Sequence, residues 1–163
     1  MGRNNTHDCE EGFTNKRAEK HRILVFTRGE RLEDQVDRCL AEFDEEEYPT
    51  FGELLIECMD QTNATIEDLS AKAQISEKQL VRLRRDKVKN ISFGMIVALC
   101  IAMKLSYGTS EELIGAAGYS LKSKNRYVKV CNIFLQNRDS TVSKCNKILR
   151  EKKMSPLTEG KVE

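Results

Sequence analysis

A cluster of basic residues lies between Lys72 and Lys89, and its chemistry is the first functional signal in the sequence. The cluster holds seven Lys and Arg residues against two acidic ones, which leaves a net charge of +5 over eighteen residues. The basic members are Lys72, Lys78, Arg82, Arg84, Arg85, Lys87 and Lys89. Such a cluster suits contact with the phosphates of a nucleic acid. Charge alone nevertheless favours the plainer interpretation of a solvated helix face.

Residues that could support catalysis or bind a metal are poorly placed for either purpose. His7 and His21 lie in a polar segment, and Glu45 to Glu47 belong to a run of charge. The six cysteines stand singly, with no C-x-x-C pair to present two ligands to zinc. They are Cys9, Cys39, Cys58, Cys100, Cys131 and Cys145. No G-x-S-x-G, Gly-rich phosphate loop or H-E-x-x-H motif occurs either. We therefore predict that the protein is not an enzyme and binds no metal or cofactor. The cysteines are predicted to be buried or unused thiols.

The composition of the 163 residues indicates one ordinary domain with appendages. The chain carries a formal net charge of only +1, but this total conceals a division. Residues 1–49 hold 8 basic and 13 acidic residues, net −5, and residues 50–163 hold 19 and 13, net +6. The longest apolar stretch, Met95 to Met103, is too short to span a bilayer, and no signal peptide is visible. We therefore expect a soluble cytoplasmic protein.

The first 49 residues are predicted to form a tail and an appendage. Residues 1–21 are polar without periodicity, which is typical of a flexible tail. Within the appendage, residues 22–49, the run Ile23 to Phe26 has the composition of a short strand. An amphipathic helix then follows, since apolar residues recur with helical spacing. They are Leu32, Val36, Cys39, Leu40 and Phe43. The acidic segment before Tyr48-Pro49 ends this helix and marks a boundary.

Residues 50–121 are typical of five consecutive short helices with tight connections. Each predicted helix begins at a hydroxyl residue that can cap its first turn, with Asp68 and Gln79 extending two of the caps into capping boxes. The caps are Thr50, Thr65, Ser76, Ser92 and Ser110. The fourth helix, Ser92 to Leu105, is apolar almost all round, so we place it at the bundle centre. Gly118 stops the fifth helix.

Two further amphipathic segments form a predicted C-terminal helical extension, residues 122–153. They cover 124–136 and 141–152, and residues 154–163 are expected to form a mobile tail. The apolar faces of the extension exceed what a five-helix core requires. They could form a dimer interface, or they could pack back onto their own domain.

The second and third helices, separated by a three-residue turn, have the layout of a helix-turn-helix. The run Thr65 to Leu83 resembles the phage-repressor-like (XRE) helix-turn-helix family, which has bacterial members. The resemblance continues through the fourth-helix run Ser92 to Leu105 and the fifth-helix run Glu111 to Leu121. It implies an all-α five-helix fold over residues 50–121 that binds duplex DNA with the third helix in the major groove. A bacterial regulator of this kind would lie on the nucleoid when bound.

The resemblance also implies roles for particular residues. Glu77, Lys78 and Arg82 fall where members of the family contact base edges, and Gln79 is either such a contact or a capping residue. The expected phosphate contacts are Thr65, Arg85, Lys87 and Lys89. Leu69, Ala73, Ile75, Leu80 and Leu83 fall on packing positions.

The sequence departs from the family pattern at five positions. Gln74 and Asp86 stand where Gly is usual, and Ile66 replaces a Gln that holds the phosphate backbone. Met59 and Arg84 replace both partners of a usual ion pair, so no buried charge is expected to be orphaned.

Two classes of function remain for this fold. The first is a sequence-specific DNA-binding transcriptional regulator, repressor-like and dimeric, because two-fold symmetry doubles the site that one short helix reads. The second is a protein-interaction module or an antitoxin-like partner protein without sequence readout. The gathered cations favour the first, since an interaction module would not need them.

Overall fold

The computed structural model describes residues 29–45 and 48–160, and the chain divides into two units between Tyr48 and Pro49. All regular secondary structure in these ranges is α-helical, which confirms the all-α prediction. The helices are α1 Leu32–Glu45, α2 Phe51–Gln61, α3 Ile66–Ala73, α4 Glu77–Arg84, α5 Phe93–Ala102, α6 Tyr107–Ala116, α7 Arg126–Gln136 and α8 Val142–Glu151. The predicted strand at Ile23 to Phe26 and the polar segment before it lie outside the described residues.

Helix α1 is the described element of the first unit. It forms where the apolar periodicity predicts it, yet its apolar stripe is exposed. Leu32, Val36 and Leu40 have exposed fractions of 75%, 48% and 56%. The amphipathic pattern therefore identifies the helix correctly without indicating what covers its face.

Helix α5 occupies the centre of the second unit. Helices α3, α6, α7 and α8 all pack against it, and α2 packs against α4 and α6. Eight of its ten residues are buried, including Ile96, Val97 and Leu99, which have no exposed surface. A helix without a polar face is stable only when it is surrounded, so the predicted central position is confirmed.

Side-chain caps begin the helices of the bundle. Thr50, Thr65, Ser76 and Ser92 accept hydrogen bonds from backbone N–H groups as predicted. The only complete capping box recorded among the described helices is the one that Thr50 forms with the residue at N3 of α2. In the caps of α3 and α4, Asp68 and Gln79 contribute their backbone N–H groups.

The predicted start of α6 is wrong by one turn. Ser106 caps the helix by accepting from the N–H of Thr109 at 3.2 Å. Ser110 lies inside the helix and is fully buried, because its face of α6 packs on the bundle. The end of α6 is as predicted, at Gly118 with φ +85°.

The C-terminal extension packs onto the bundle of its own chain. The apolar faces of α7 and α8 are buried through Cys131, Phe134, Val142, Cys145 and Leu149. This packing uses most of the apolar surface that the sequence offered for a dimer interface. It leaves Ile133 and Ile148 with exposed fractions of 59% and 41%.

The expectation of a mobile tail from Met154 onward is wrong for residues 154–160. Leu157 and Thr158 are buried, with exposed fractions of 3% and 7%. A Cβ added at Gly94 would lie 2.6 Å from the carbonyl oxygen of Leu157, so only glycine allows the segment to approach α5 this closely. Because the segment is short and mostly polar, its sequence does not predict that it packs against α5.

Four of the cysteines are buried thiols within this core. They are Cys58, Cys100, Cys131 and Cys145. Burial is the largest cause that raises the pKa of Cys100 and Cys131, in each case to about 12. These side chains are therefore neutral at physiological pH and serve as small apolar groups.

No described helix is long and apolar enough to cross a membrane. Among the same residues, no group of His, Cys, Asp and Glu is arranged to hold a metal ion.

Candidate nucleic-acid interface

Helices α3 and α4 form a helix-turn-helix whose inner faces are fixed in the core. The turn consists of residues 74–76, as the spacing predicts. The predicted packing positions are all buried, at 2% exposure or less: Leu69, Ala73, Ile75, Leu80 and Leu83. With two buried leucines three positions apart, α4 has one fixed face, and the side chains opposite must point outward.

The outward face of α4 carries the residues predicted to contact bases. Glu77, Lys78 and Arg82 are exposed, and the two cations are four residues apart, so they are neighbours on one face. None of the three forms an ion pair with another described residue. Gln79 is half-buried beside them, and its recorded hydrogen bond is made by the backbone. The structure therefore presents two free cations and one carboxylate on the same short helix.

The residues predicted to contact phosphates lie at both ends of the helix-turn-helix. Thr65 is exposed at the N-terminus of α3, and its Oγ1 accepts the N–H of Asp68 at 3.1 Å. Arg85, Lys87 and Lys89 are exposed in the segment that follows α4. Ile66, by contrast, packs against the core, so its side chain makes no polar contact at that end of α3.

The segment after α4 is held in place although its cations are exposed. Val88 and Ile91 pack against the core, and the Tyr119 hydroxyl donates to the Ile91 carbonyl at 2.7 Å. The N–H of Lys87 donates to the carbonyl of Arg82 at 3.0 Å. Anchored apolar residues thus alternate with free cations, which limits the positions that Lys87 and Lys89 can reach.

Gln74, at the turn, adopts the left-handed conformation that usually requires glycine, with φ +57° and ψ +41°. Its side chain is engaged by helix α8. The amide Nε2 donates to Ser143 Oγ at 2.9 Å, and Oε1 accepts from Asn146 Nδ2 at 3.2 Å. These contacts explain why a glutamine is accepted at this position.

Asn146 is the centre of a buried polar network that reaches the turn. It is 1% exposed, its Oδ1 accepts the N–H of Leu157 at 2.7 Å, and its Nδ2 also donates to the carbonyl of Thr158 at 3.2 Å. The Thr158 hydroxyl in turn donates to the carbonyl of Ala73 at 3.0 Å, at the last residue of α3. The extension therefore satisfies polar groups of the helix-turn-helix itself.

Asp86 closes the other end of α4 and also has a left-handed backbone, with φ +52°. Its carboxylate accepts from the Thr50 hydroxyl at 2.6 Å and from the N–H of Gly52 at 2.8 Å. A Cβ at Gly52 would lie 2.7 Å from both the Arg84 carbonyl and Asp86 Oδ2, so this close approach requires glycine. The acidic side chain placed at the first turn of α2 also suits the helix dipole.

Sequence reasoning missed both networks because their members are far apart in the chain. A polar Asn146 among the buried positions of an amphipathic helix was the available signal for the first. For the second, no local pattern connects Asp86 with Thr50.

Met59 and Arg84, which replace the usual ion pair of the family, differ in how well the core accommodates them. Met59 is buried as an apolar residue should be, with an exposed fraction of 5%. Arg84 is half-buried, and its Nε has no hydrogen-bond partner within the described part of the chain. Because Arg84 is only half-buried, the missing hydrogen bond concerns this one atom of the guanidinium, and the prediction that no buried charge is orphaned stays a prediction.

Comparison with known proteins matches one part of the chain to a family. The family model of the Cro/C1-type HTH DNA-binding domain matches residues 55–120. No curated protein and no solved structure gives a match to the chain. The matched range contains the turn, α4 and the anchored segment, and it ends before the extension.

Proposed function

We propose, from the premise that residues 55–120 are a Cro/C1-type helix-turn-helix DNA-binding domain, that this protein is a sequence-specific transcriptional regulator of the repressor-like kind. The matched domain supports the general function of a DNA-binding regulator. The observation that carries sequence readout is the outward face of α4. Lys78 and Arg82 are exposed there without ion-pair partners, on a helix whose opposite face is fixed by Leu80 and Leu83.

The chemistry of that face suits the major groove. Lys78 and Arg82 donate to guanine O6 and N7, and Glu77 accepts from cytosine N4. Gln79 is an additional proposed base contact, since the cap of α4 uses its backbone N–H and leaves its side-chain amide available. A mixture of donors and acceptors discriminates between base pairs, because each pair presents a different pattern in the major groove.

Thr65, Arg85, Lys87 and Lys89 are the proposed phosphate contacts. They flank the helix-turn-helix on both sides and would fix the register of α4 on the duplex without reading sequence. The hydroxyl of Thr65 accepts a bond within its own cap and keeps its hydrogen for a phosphate oxygen.

The regulator is proposed to act as a homodimer, because one eight-residue helix reads few base pairs. Ile133 and Ile148 are the exposed apolar residues left on the extension for such an interface. Sedimentation equilibrium of the full chain and of an Ile133→Glu/Ile148→Glu variant tests this. A wild-type monomer at concentrations that bind DNA fully would contradict it.

The test of sequence readout is in vitro selection from a random duplex pool near physiological salt. Wild type, a Lys78→Ala/Arg82→Ala variant and an Arg126→Ala/Lys129→Ala control are compared. The control removes one Lys and one Arg, both exposed, from α7. We expect an enriched motif with wild type and control, and none with the α4 variant.

The other outcomes separate the alternatives. An enriched motif that survives the α4 substitutions would contradict readout by this helix. No enrichment by wild type would contradict sequence-specific binding and favour the interaction module or the antitoxin-like partner. A single unsymmetrical half-site would keep DNA readout and remove the dimer.

A further inference from the structure

The extension, rather than the matched domain, carries the positive charge of the second unit. Residues 122–153 contain ten Lys and Arg residues against two acidic ones, net +8, whereas residues 50–121 contain eight against nine, net −1. The ten are Lys122, Lys124, Arg126, Lys129, Arg138, Lys144, Lys147, Arg150, Lys152 and Lys153. All ten are exposed, and none forms an ion pair with a described residue.

Within residues 29–45 and 48–160, no ion pair or side-chain hydrogen bond uses these charges. Apolar side chains and the neutral network of Asn146 hold α7 and α8 to the bundle. Like charges gathered on one small extension repel each other and lower its stability. A surface of this composition is stabilised when it binds a polyanion.

Helix α8 places part of this charge beside the helix-turn-helix. Ser143 Oγ is 2.9 Å from the side-chain amide Nε2 of Gln74, the residue three positions before the first residue of α4. Positions 143, 147 and 150 follow each other at helical spacing and share one stripe of α8. Lys147 and Arg150 therefore lie about 6 Å and about 10 Å further along the helix axis than Ser143.

We propose that the α8 shoulder, Lys147 and Arg150, is a second phosphate-contacting surface that binds the backbone of duplex DNA outside the base pairs read by α4. This proposal rests on the proposed function, because it needs a duplex already seated on the helix-turn-helix. The shoulder offers cations and no acceptor, so it adds affinity without discriminating between sequences. The extension is then part of the DNA-binding surface as well as of the fold.

The experiment measures binding of the selected duplex as a function of salt. Full-length wild type is compared with Lys147→Gln/Arg150→Gln and with the matched control Arg126→Gln/Lys129→Gln on α7. Each variant loses one Lys and one Arg three positions apart on an exposed helix face. Loss of two phosphate contacts should reduce the slope of log K against log[salt] by about 1.8 and weaken binding on the order of tenfold at 0.15 M salt. The control should keep the wild-type slope.

A second arm trims the duplex to the selected base pairs. Trimming should weaken binding by wild type and leave binding by the α8 variant almost unchanged, because the flanking phosphates have no partner on that variant.

Equal slopes for wild type and the α8 variant would overturn the proposal while leaving readout by α4 intact. Absence of duplex binding by wild type itself would overturn the proposed function. Loss of binding to anionic phosphatidylserine vesicles, with duplex affinity unchanged, would assign the shoulder to a membrane surface and also overturn the proposal. Circular dichroism melting of all three proteins verifies that the folds are equal.

Discussion

The two ends of α4, the proposed recognition helix, are positioned by different parts of the chain. At each end a residue other than glycine has a left-handed backbone, Gln74 before the helix and Asp86 after it. Asp86 is bound by residues 34 and 36 positions earlier, within the five-helix bundle. Gln74 is bound by residues 69 and 72 positions later, in the extension. The difference shows that the bundle alone completes only one end of α4, the helix proposed to contact DNA.

The chemistry of the two ends also differs. Asp86 offers a charged acceptor to a hydroxyl and to a helix N-terminus, whereas Gln74 exchanges neutral amide hydrogen bonds. Because the Asp86 side chain is exposed, its two bonds are expected to contribute about 2 kcal/mol together, less than the roughly 1.5–3 kcal/mol that each bond to a charged group can contribute, and the two neutral bonds of Gln74 about 1.5 kcal/mol together. The left-handed conformation costs about 1–2 kcal/mol at either position. A surplus is therefore expected at Asp86, and near balance at Gln74.

The largest effect is expected from breaking the network behind Gln74. Asn146→Ala leaves the N–H of Leu157 and the carbonyl of Thr158 buried without this partner, so the free energy of unfolding should fall by about 3 kcal/mol. Urea unfolding measures this change. Asn132→Ala on α7, whose side chain makes a 3.5 Å contact at the surface, is the control and should cost less than about 0.5 kcal/mol. Equal costs for the two variants would show that the extension does not position the turn.

The next effect concerns the opposite end of α4. Asp86→Ala keeps the left-handed backbone and removes both acceptor bonds, so stability should fall by about 2 kcal/mol. Asp86→Gly removes the same bonds but also the conformational cost, and it should lose only about 1 kcal/mol. Thermal melting of both variants is the measurement. A glycine variant less stable than the alanine variant would contradict the account of a strained but well-bound aspartate.

A smaller effect is expected at Gln74 itself. Gln74→Ala loses two neutral hydrogen bonds and should cost about 1.5 kcal/mol, whereas Gln74→Gly regains the conformational cost and should lie within about 0.5 kcal/mol of wild type. Urea unfolding of the two variants, read with the same two-state analysis, compares them. If Gln74→Gly lowered the free energy of unfolding as much as Gln74→Ala does, the hydrogen bonds of Gln74 would not be offsetting a conformational cost.

The smallest expected effect is the interaction free energy between substitutions at the two ends of α4, which should be close to zero. In a double-mutant cycle, Asn146→Ala and Asp86→Ala should add to within about 0.5 kcal/mol, since they share no partner. Asn146→Ala and Gln74→Ala touch through a bond of 3.2 Å and should couple by about 1 kcal/mol. If the distant pair coupled as strongly as the contacting pair, the two ends of α4 would not be independently positioned.

The helices of residues 50–152 could be predicted from local signals. Hydroxyl caps, apolar spacing and the all-apolar α5 each act within a few residues, and a single sequence shows them. The start of α6 shows where such signals fail. Ser110, followed by two glutamates, has the pattern of a cap, but burial on the bundle makes it an interior residue.

The candidate site likewise has residues whose positions local sequence predicts and residues whose positions depend on distant contacts. The outward positions of Lys78 and Arg82 follow from helix periodicity once Leu80 and Leu83 are placed in the core. The partners of Gln74 and Asp86 do not, because a contact across 34 or 72 residues leaves no mark in local sequence. The docking of Leu157 was hidden for the same reason, in a segment with few apolar residues.

The hydrogen bond from Thr158 to the carbonyl of Ala73 has a consequence during protein synthesis. The two residues are 85 positions apart, so the ribosome must add 85 residues after Ala73 before this bond can form. At bacterial or eukaryotic elongation rates this takes roughly ten seconds. For most of that interval, from the addition of Arg84 onward, a nascent chain carries the proposed recognition helix without the segment that completes its turn. Under the proposed function, chains that stop early would compete poorly with the full chain for its DNA site.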